Sequence, residues 1–182
     1  MTENVPWPVL VGEMLIRRIR LNEFEPRMYP PSIPGERATD EQIGAARRRL
    51  GHPLDDLHRA VLLEGDGWEN GFGYGDLLST DQLGHGHRWQ QAMTHLDDLY
   101  ENLDPADLPP RDRLYPVHVG DEEIVVVDLA GPVTDGGHPV HWLGHDELIQ
   151  SWPNLYEYWL SALTYLQKDV DWALEQARTG AN

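Results

Sequence analysis

Nine histidines, 31 acids and no cysteine bound the chemistry open to this chain of 182 residues. Without cysteine there is no disulfide, no thiolate nucleophile and no Cys-ligated zinc. His138, His141 and His145 invite a metal reading. On one strand, His138 and His141 would face opposite ways, because their separation is odd and strand side chains alternate. They can chelate together only if the strand begins after His138. His85-Gly86-His87 is better placed, in an extended turn. Neither group has the HExxH pattern or a carboxylate at the spacing of a zinc hydrolase, so these histidines read as hydrogen-bonding groups. Gly71-Phe72-Gly73-Tyr74-Gly75 shares only its glycines with a phosphate loop. It lacks the GxGxxG spacing, follows a helix instead of a strand and has no lysine nearby. It reads as a tight turn that needs positive φ. Ser32, Ser79, Ser151 and Ser161 all fall outside GxSxG. Asp97-Asp98 and Glu122-Glu123 are neighbours whose side chains diverge, so neither is an acid/base dyad on that ground. The sequence therefore reads as non-enzymatic, with no catalytic residue, no cofactor and no metal.

What the chain has in excess is negative charge. The formal net charge is −17 and the isoelectric point about 4.7. Residues 1–60 carry nine acids and nine arginines, while residues 61–182 carry 22 acids against five Lys or Arg. The first part is balanced and the remainder is acidic. Such a field repels phosphate backbones, which argues against DNA or RNA as a partner. It favours solubility and speeds encounter with a basic protein. An ordinary acidic surface accounts for the same numbers. The apolar run Val5–Leu15 has no basic residue before it and Arg17, Arg18 and Arg20 after it, the wrong order for a secretory signal. No run approaches membrane-spanning length. The expected location is cytoplasmic.

The elements that must carry these residues follow from periodicity. Trp7, Leu10, Met14 and Val11, Leu15, Ile19 recur at three and four, giving a helix over residues 7–22 with one apolar face and arginines near its end. Pro26, Pro30, Pro31 and Pro34 then forbid helix. Residues 1–36 read as a helix and Pro-rich linker, and residues 37–182 as the main domain. Thr39-x-x-Gln42 is a capping box and Gly51 a helix stop. Asp55 or Asp56 starts the next helix, with Leu57, Ala60 and Val61 inward. Trp68 to Gly75 reads as a Gly-rich turn, Leu77-Leu78 as a short strand, and Trp89–Tyr100 as a helix. Tyr115, Val117 and Val119 alternate with Pro116 and His118, and Ile124–Val127 is a β-branched run of the kind covered on both faces. Val140–Leu143 reads as the last strand. Ser151 is the expected cap of a final helix that has its apolar face at Leu155, Tyr158, Trp159, Ala162, Leu163 and Leu166, and that runs to about Ala177 with a break near Asp169. The order implies an α+β fold: an antiparallel sheet of about four to six strands flanked by helices, with an N-terminal helical extension. Trp68 sits in a turn among acids and reads either as a plug of the core or as an interface anchor.

The order of these signals resembles the SUKH superfamily, which includes fungal cell-wall regulators of the Smi/Knr type and many bacterial immunity proteins. The resemblance is carried by Ile43…Leu50-Gly51, Leu54…Leu57…Val61-Leu62-Leu63, Gly65-Asp66-Gly67-Trp68 and Leu77-Leu78-Ser79. Downstream it continues with Tyr115-Pro116-Val117, a Gly-Asp turn, Ile124–Leu129 with Asp128, Val140 and Ser151. It covers about residues 39–167. The chain departs from the pattern at Pro53, which precedes Leu54, at Gly65-Asp66-Gly67 in place of Asn-Gly, and in a long insert from Gly84 to Pro110. The resemblance implies a non-enzymatic protein-binding domain and, for its bacterial members, neutralisation of a cognate toxin, often a nuclease; the acidity of this chain adds the expectation of an acidic surface facing a basic toxin domain. A scaffold or regulator of cell-wall or signalling processes is the other implied role. For toxin neutralisation the expected contact residues, on the acidic part of the chain, are Glu64, Asp66, Trp68, Glu69, Asp121, Glu122 and Glu123; for the scaffold the expected docking element is the helix and linker of residues 1–36.

Overall fold

The computed structural model describes residues 5–72, 75–104, 106 and 108–179. In chain order its main elements are α1 (Trp7–Phe24), α2 (Asp40–Leu50), α3 (Asp56–Leu62), β1 (Trp68–Phe72), β2 (Gly75–Leu77), α4 (His87–Asn102), β3 (Leu114–Val119), β4 (Ile124–Asp128), β5 (Val140–Leu143), β6 (Leu148–Trp152) and α5 (Leu155–Thr179). The strands form one antiparallel sheet in sequence order, so the fold is α+β with an N-terminal helix. Every residue of β3 and β4 is buried. The β-branched run of β4 is therefore covered on both faces, as its composition predicts. The alternation in β3 marks two buried faces and not one wet face.

Register places the turns. Asp76 pairs with Val119, Val119 with Ile124, Ile124 with Leu143, and Leu143 with Leu148. The β1–β2, β3–β4 and β5–β6 turns therefore leave the same end of the sheet. α4 packs on β3 and is tied to that end: the Gln91 amide donates to the Gly120 carbonyl at 3.1 Å and the His95 Nε2–H to the Gly144 carbonyl at 2.8 Å. α5 lies against the sheet through Tyr158 and Trp159, whose rings meet Phe72 at 5.5 and 4.8 Å.

α1 docks on α5. Leu10, Met14 and Leu21 belong to the same apolar core as the sheet, and Trp7 stands edge-on to Tyr156 and Trp159 at 5.6 and 5.4 Å. Its inward face is turned from the expected one. Ile19 is half exposed, and Arg18 is buried in its place. The Arg18 stem is apolar, its guanidinium lies 5.3 Å from the Tyr29 ring centroid, and it donates to the Pro30 carbonyl at 3.3 Å. The Pro-rich segment is thereby fixed to α1 and then to β1. The Ser32 hydroxyl donates to the Glu69 carbonyl and accepts from Trp68 Nε1, and Gly35 N–H donates to the Gly67 carbonyl at 2.8 Å.

Local signals hold at α2, where the Thr39/Gln42 capping box and the left-handed Gly51 (φ 73°) are both present. Others are corrected. α3 starts from Asp55 but buries His58, Val61 and Leu62, a face rotated from Leu57 and Ala60. β6 is a strand beyond the expected last one. Ser151 lies inside it, bonded to His141 Nδ1 at 2.7 Å, and the α5 cap is Asn154, whose Oδ1 accepts from Glu157 N–H at 3.0 Å. α5 runs through Asp169 without a break.

The glycine-rich segment is a hairpin, with Trp68–Phe72 as strand; Gly73 and Tyr74 lie outside the described residues. Gly71 and Gly75 do not have the positive φ expected of them. Close approach selects them instead. A Cβ on Gly71 would stand 2.5 Å from Trp68 Cγ, and one on Gly75 would stand 2.1 Å from His118 Nε2. Gly75→Ala should therefore destabilise the fold by about 2 kcal/mol, the usual cost of overpacking a filled core. Urea unfolding reads this directly, and an unchanged midpoint would show that the His118 ring can yield.

Candidate functional site

The structure splits the expected contact residues into two groups. Glu64 is ion-paired to Arg37 at 2.8 Å. The Asp66 carboxylate accepts from the Thr80 N–H and hydroxyl at 2.5 and 2.6 Å. Trp68 is 3% exposed with its indole N–H committed to Ser32, so it plugs the core. Glu69 is exposed on β1. Glu64 and Asp66 precede β1 and lie at its far end from the hairpin turns. Asp121, Glu122 and Glu123 sit in the β3–β4 turn, the first two exposed and Glu123 half buried.

Asp121 and Glu122 have company that sequence order conceals. The β5–β6 turn adds exposed Asp146 and Glu147 at the same end of the sheet. The nearby Arg88 is spent on buried Asp76 at 2.6 Å and only approaches Asp121, at 3.9 Å. The turn end is thus an acidic surface with little internal neutralisation.

Behind that end, between the sheet and α5, lies a cavity of about 130 Å³. Its walls are aromatic: Phe72, Trp142, Trp152, Tyr158 and Tyr165. Trp142 stands 6.5 Å from Trp152 and 6.4 Å from Tyr165, and Trp152 meets Tyr158 at 5.0 Å. Tyr165 is 45% exposed and marks the mouth. Three titratable groups join the rings: His118, Glu123 and Asp169. Burial pushes the His118 imidazole down to about 4 against the opposing pull of Asp76. Burial raises the Glu123 and Asp169 carboxyls above their ordinary range, and for Glu123 the Trp142 indole N–H acts the other way. The Trp142 N–H and His118 Nε2 have no well-formed hydrogen bond.

A second polar cluster joins α3 to the sheet. Asp55 caps α3 through Oδ1, which accepts from Leu57 and His58 N–H at 3.0 and 3.1 Å. Its Oδ2 accepts from His138 N–H at 2.7 Å and His138 Nδ1–H at 2.9 Å. The Tyr115 hydroxyl accepts from Asp55 N–H at 3.1 Å and meets His58 Nδ1 at 3.1 Å. An Asp–His pair can orient a general base, but no hydroxyl bonds to His138 among the described residues. This cluster is a clamp between elements.

β5 begins at Val140, after His138, yet His138 goes to Asp55 and His141 goes to Ser151 and, at 3.7 Å, to Asp128. Among the described residues no three His, Asp or Glu side chains are grouped to hold a metal ion. Among the same residues no helix is long and apolar enough to cross a membrane. Compared with known proteins, the chain matches no family model and no curated protein.

Proposed function

We propose that the chain is a non-enzymatic protein-binding domain of SUKH type, an immunity protein that neutralises a basic toxin domain in the cytoplasm. The observation that carries this reading is the acidic end of the sheet, where Asp121, Glu122, Asp146 and Glu147 stand exposed around two adjacent turns. A nuclease active face is basic, and an acidic partner gains both orientation and encounter rate against it. The family resemblance rests on the sequence signals between residues 39 and 167. Co-expression with a toxin domain encoded beside this chain should rescue growth. Reversing Asp121, Glu122 and Glu147 to Lys should slow association by about tenfold at low salt and by less at high salt. No rescue, together with no binding at low salt, rejects the reading.

The alternative, an intracellular scaffold or regulator, has its own observation. Val9, Ile16 and Ile19 are 49%, 47% and 50% exposed on the face of α1 that points away from α5. Because α1 also supplies core residues, point changes test this better than deletion. Ile16→Glu with Ile19→Glu should abolish partner capture if α1 is the docking element, and leave toxin neutralisation intact.

A further inference from the structure

We infer that the cavity between the sheet and α5 is a binding site for one organic cation, an alkylammonium or guanidinium group. The volume of about 130 Å³ is close to that of an engineered cavity that holds a single benzene, so it suits one such group. Ring faces attract cations through their quadrupoles, and the attraction grows as water is excluded. Here Trp142, Trp152, Tyr158 and Tyr165 surround one space. Tyr165, at the mouth, already draws an ammonium: the chain's single lysine, Lys168, holds Nζ 5.3 Å from its ring centroid.

The charge needed to hold a cation is also present. Glu123 and Asp169 both line the cavity, and neither has an ion-pair partner among the described residues. Glu123 is partly withdrawn from water without a counter-charge, which is costly, and a cation in the cavity would relieve that cost, while Asp169, exposed at the rim, adds attraction. The Trp142 indole N–H faces Glu123 and steadies it without neutralising it. His118, 4% exposed, stands in the wall with Nε2 turned against the Gly75 backbone. Held neutral by burial, it adds no repelling charge at neutral pH. An anion would meet two carboxyls, and a neutral apolar guest would leave them unanswered.

The test is a titration of the full chain followed through its indole N–H signals by NMR. The probes are n-butylammonium and n-butylguanidinium, with n-butanol as the neutral control and sodium chloride matched for ionic strength. The expected result is a saturable shift of the Trp142 and Trp152 signals with the cations only. Glu123→Gln should weaken binding by about tenfold, with Asp169→Asn weakening it less. Nα-acetyl-lysine amide and Nα-acetyl-arginine amide separate the sources. If they saturate the site as the simple amines do, the guest can be a partner's side chain; if only the simple amines bind, the guest is a small molecule. Equal binding of n-butanol, shifts no larger than those of sodium chloride, or full affinity in Glu123→Gln would overturn the inference. No toxin is needed, so this titration can succeed where toxin rescue fails.

Discussion

Asp55→Ala should remove about 4 kcal/mol of stability, the combined cost of a lost helix cap and of buried donors left without an acceptor. The carboxylate is 1% exposed and accepts four N–H groups, two from the first turn of α3 and two from His138. Alanine leaves the cap empty, and the His138 backbone N–H faces a void next to β5. Water can reach His138, which is partly exposed, and that limits the loss on its side. A domain of this size has a total stability of about 5–15 kcal/mol, so the variant should be near the edge of folding at 37 °C. Asp55→Asn separates the two halves of the clamp. An amide oxygen can serve the α3 turn or His138 but not both, and its NH2 then opposes a donor. It should cost about 2 kcal/mol, half the alanine value. Urea unfolding followed by tryptophan fluorescence gives both numbers. An alanine variant within about 1 kcal/mol of the parent would mean that the clamp relaxes onto water.

The contrast between this clamp and the α2 cap shows what could be read in advance. Thr39 and Gln42 are three residues apart, so their reciprocal bonds are written in one short string. The β-branched run of β4 and the i, i+3, i+4 face of α5 are likewise local patterns, and both elements form where expected. Asp55 also looks like a cap, and is one. Its other half lies 83 positions away at His138, and its neighbour Tyr115 is 60 away. Nothing in the intervening chain marks that meeting. Leu148–Trp152 lacks a β-branched run and leads straight into Pro153, so Ser151 and Asn154 are equally good caps until β6 pairs with β5. Gly71 and Gly75 look like turn residues because the side chains that exclude a Cβ, Trp68 and His118, become their neighbours only in the hairpin and the sheet. The aromatic cavity has no local signature at all, since its walls come from β1, β5, β6 and α5. The acids expected to make contacts differ in how far the fold engages them. Asp121 and Glu122 are exposed as a turn requires, while Glu64 and Asp66 are absorbed by Arg37 and Thr80, partners that only the fold brings close.

Lowering the pH from 7 to 5 should destabilise the protein by about 4 kcal/mol through two histidines, about 2 kcal/mol each. His58 and His118 are both held down to about 4 in the fold, mainly by burial, against an ordinary value of 6.5. Between those values the unfolded chain binds protons that the native chain refuses. Stability is therefore full above 6.5 and is lost as the pH falls through that window. The surroundings explain the refusal. The Tyr115 hydroxyl accepts from Asp55 N–H, so its own hydrogen points to His58 Nδ1, which must stay bare. His118 is hemmed in by Tyr158, Phe72 and Gly75, with Asp76 favouring the proton and Arg88 opposing it. Glu123 and Asp169 act with the opposite sign. Their raised values let the native chain keep protons that the unfolded chain gives up, which trims the loss at the acid end. Unfolding free energies at pH 7, 6 and 5 should fall with a limiting slope of nearly two protons, and His58→Gln or His118→Gln should each remove about one. NMR titration of the native protein offers an independent reading, because neither ring should titrate above about 5. Either ring titrating near 6.5 in the folded chain would show that water reaches it, and the acid sensitivity would then have to come from elsewhere.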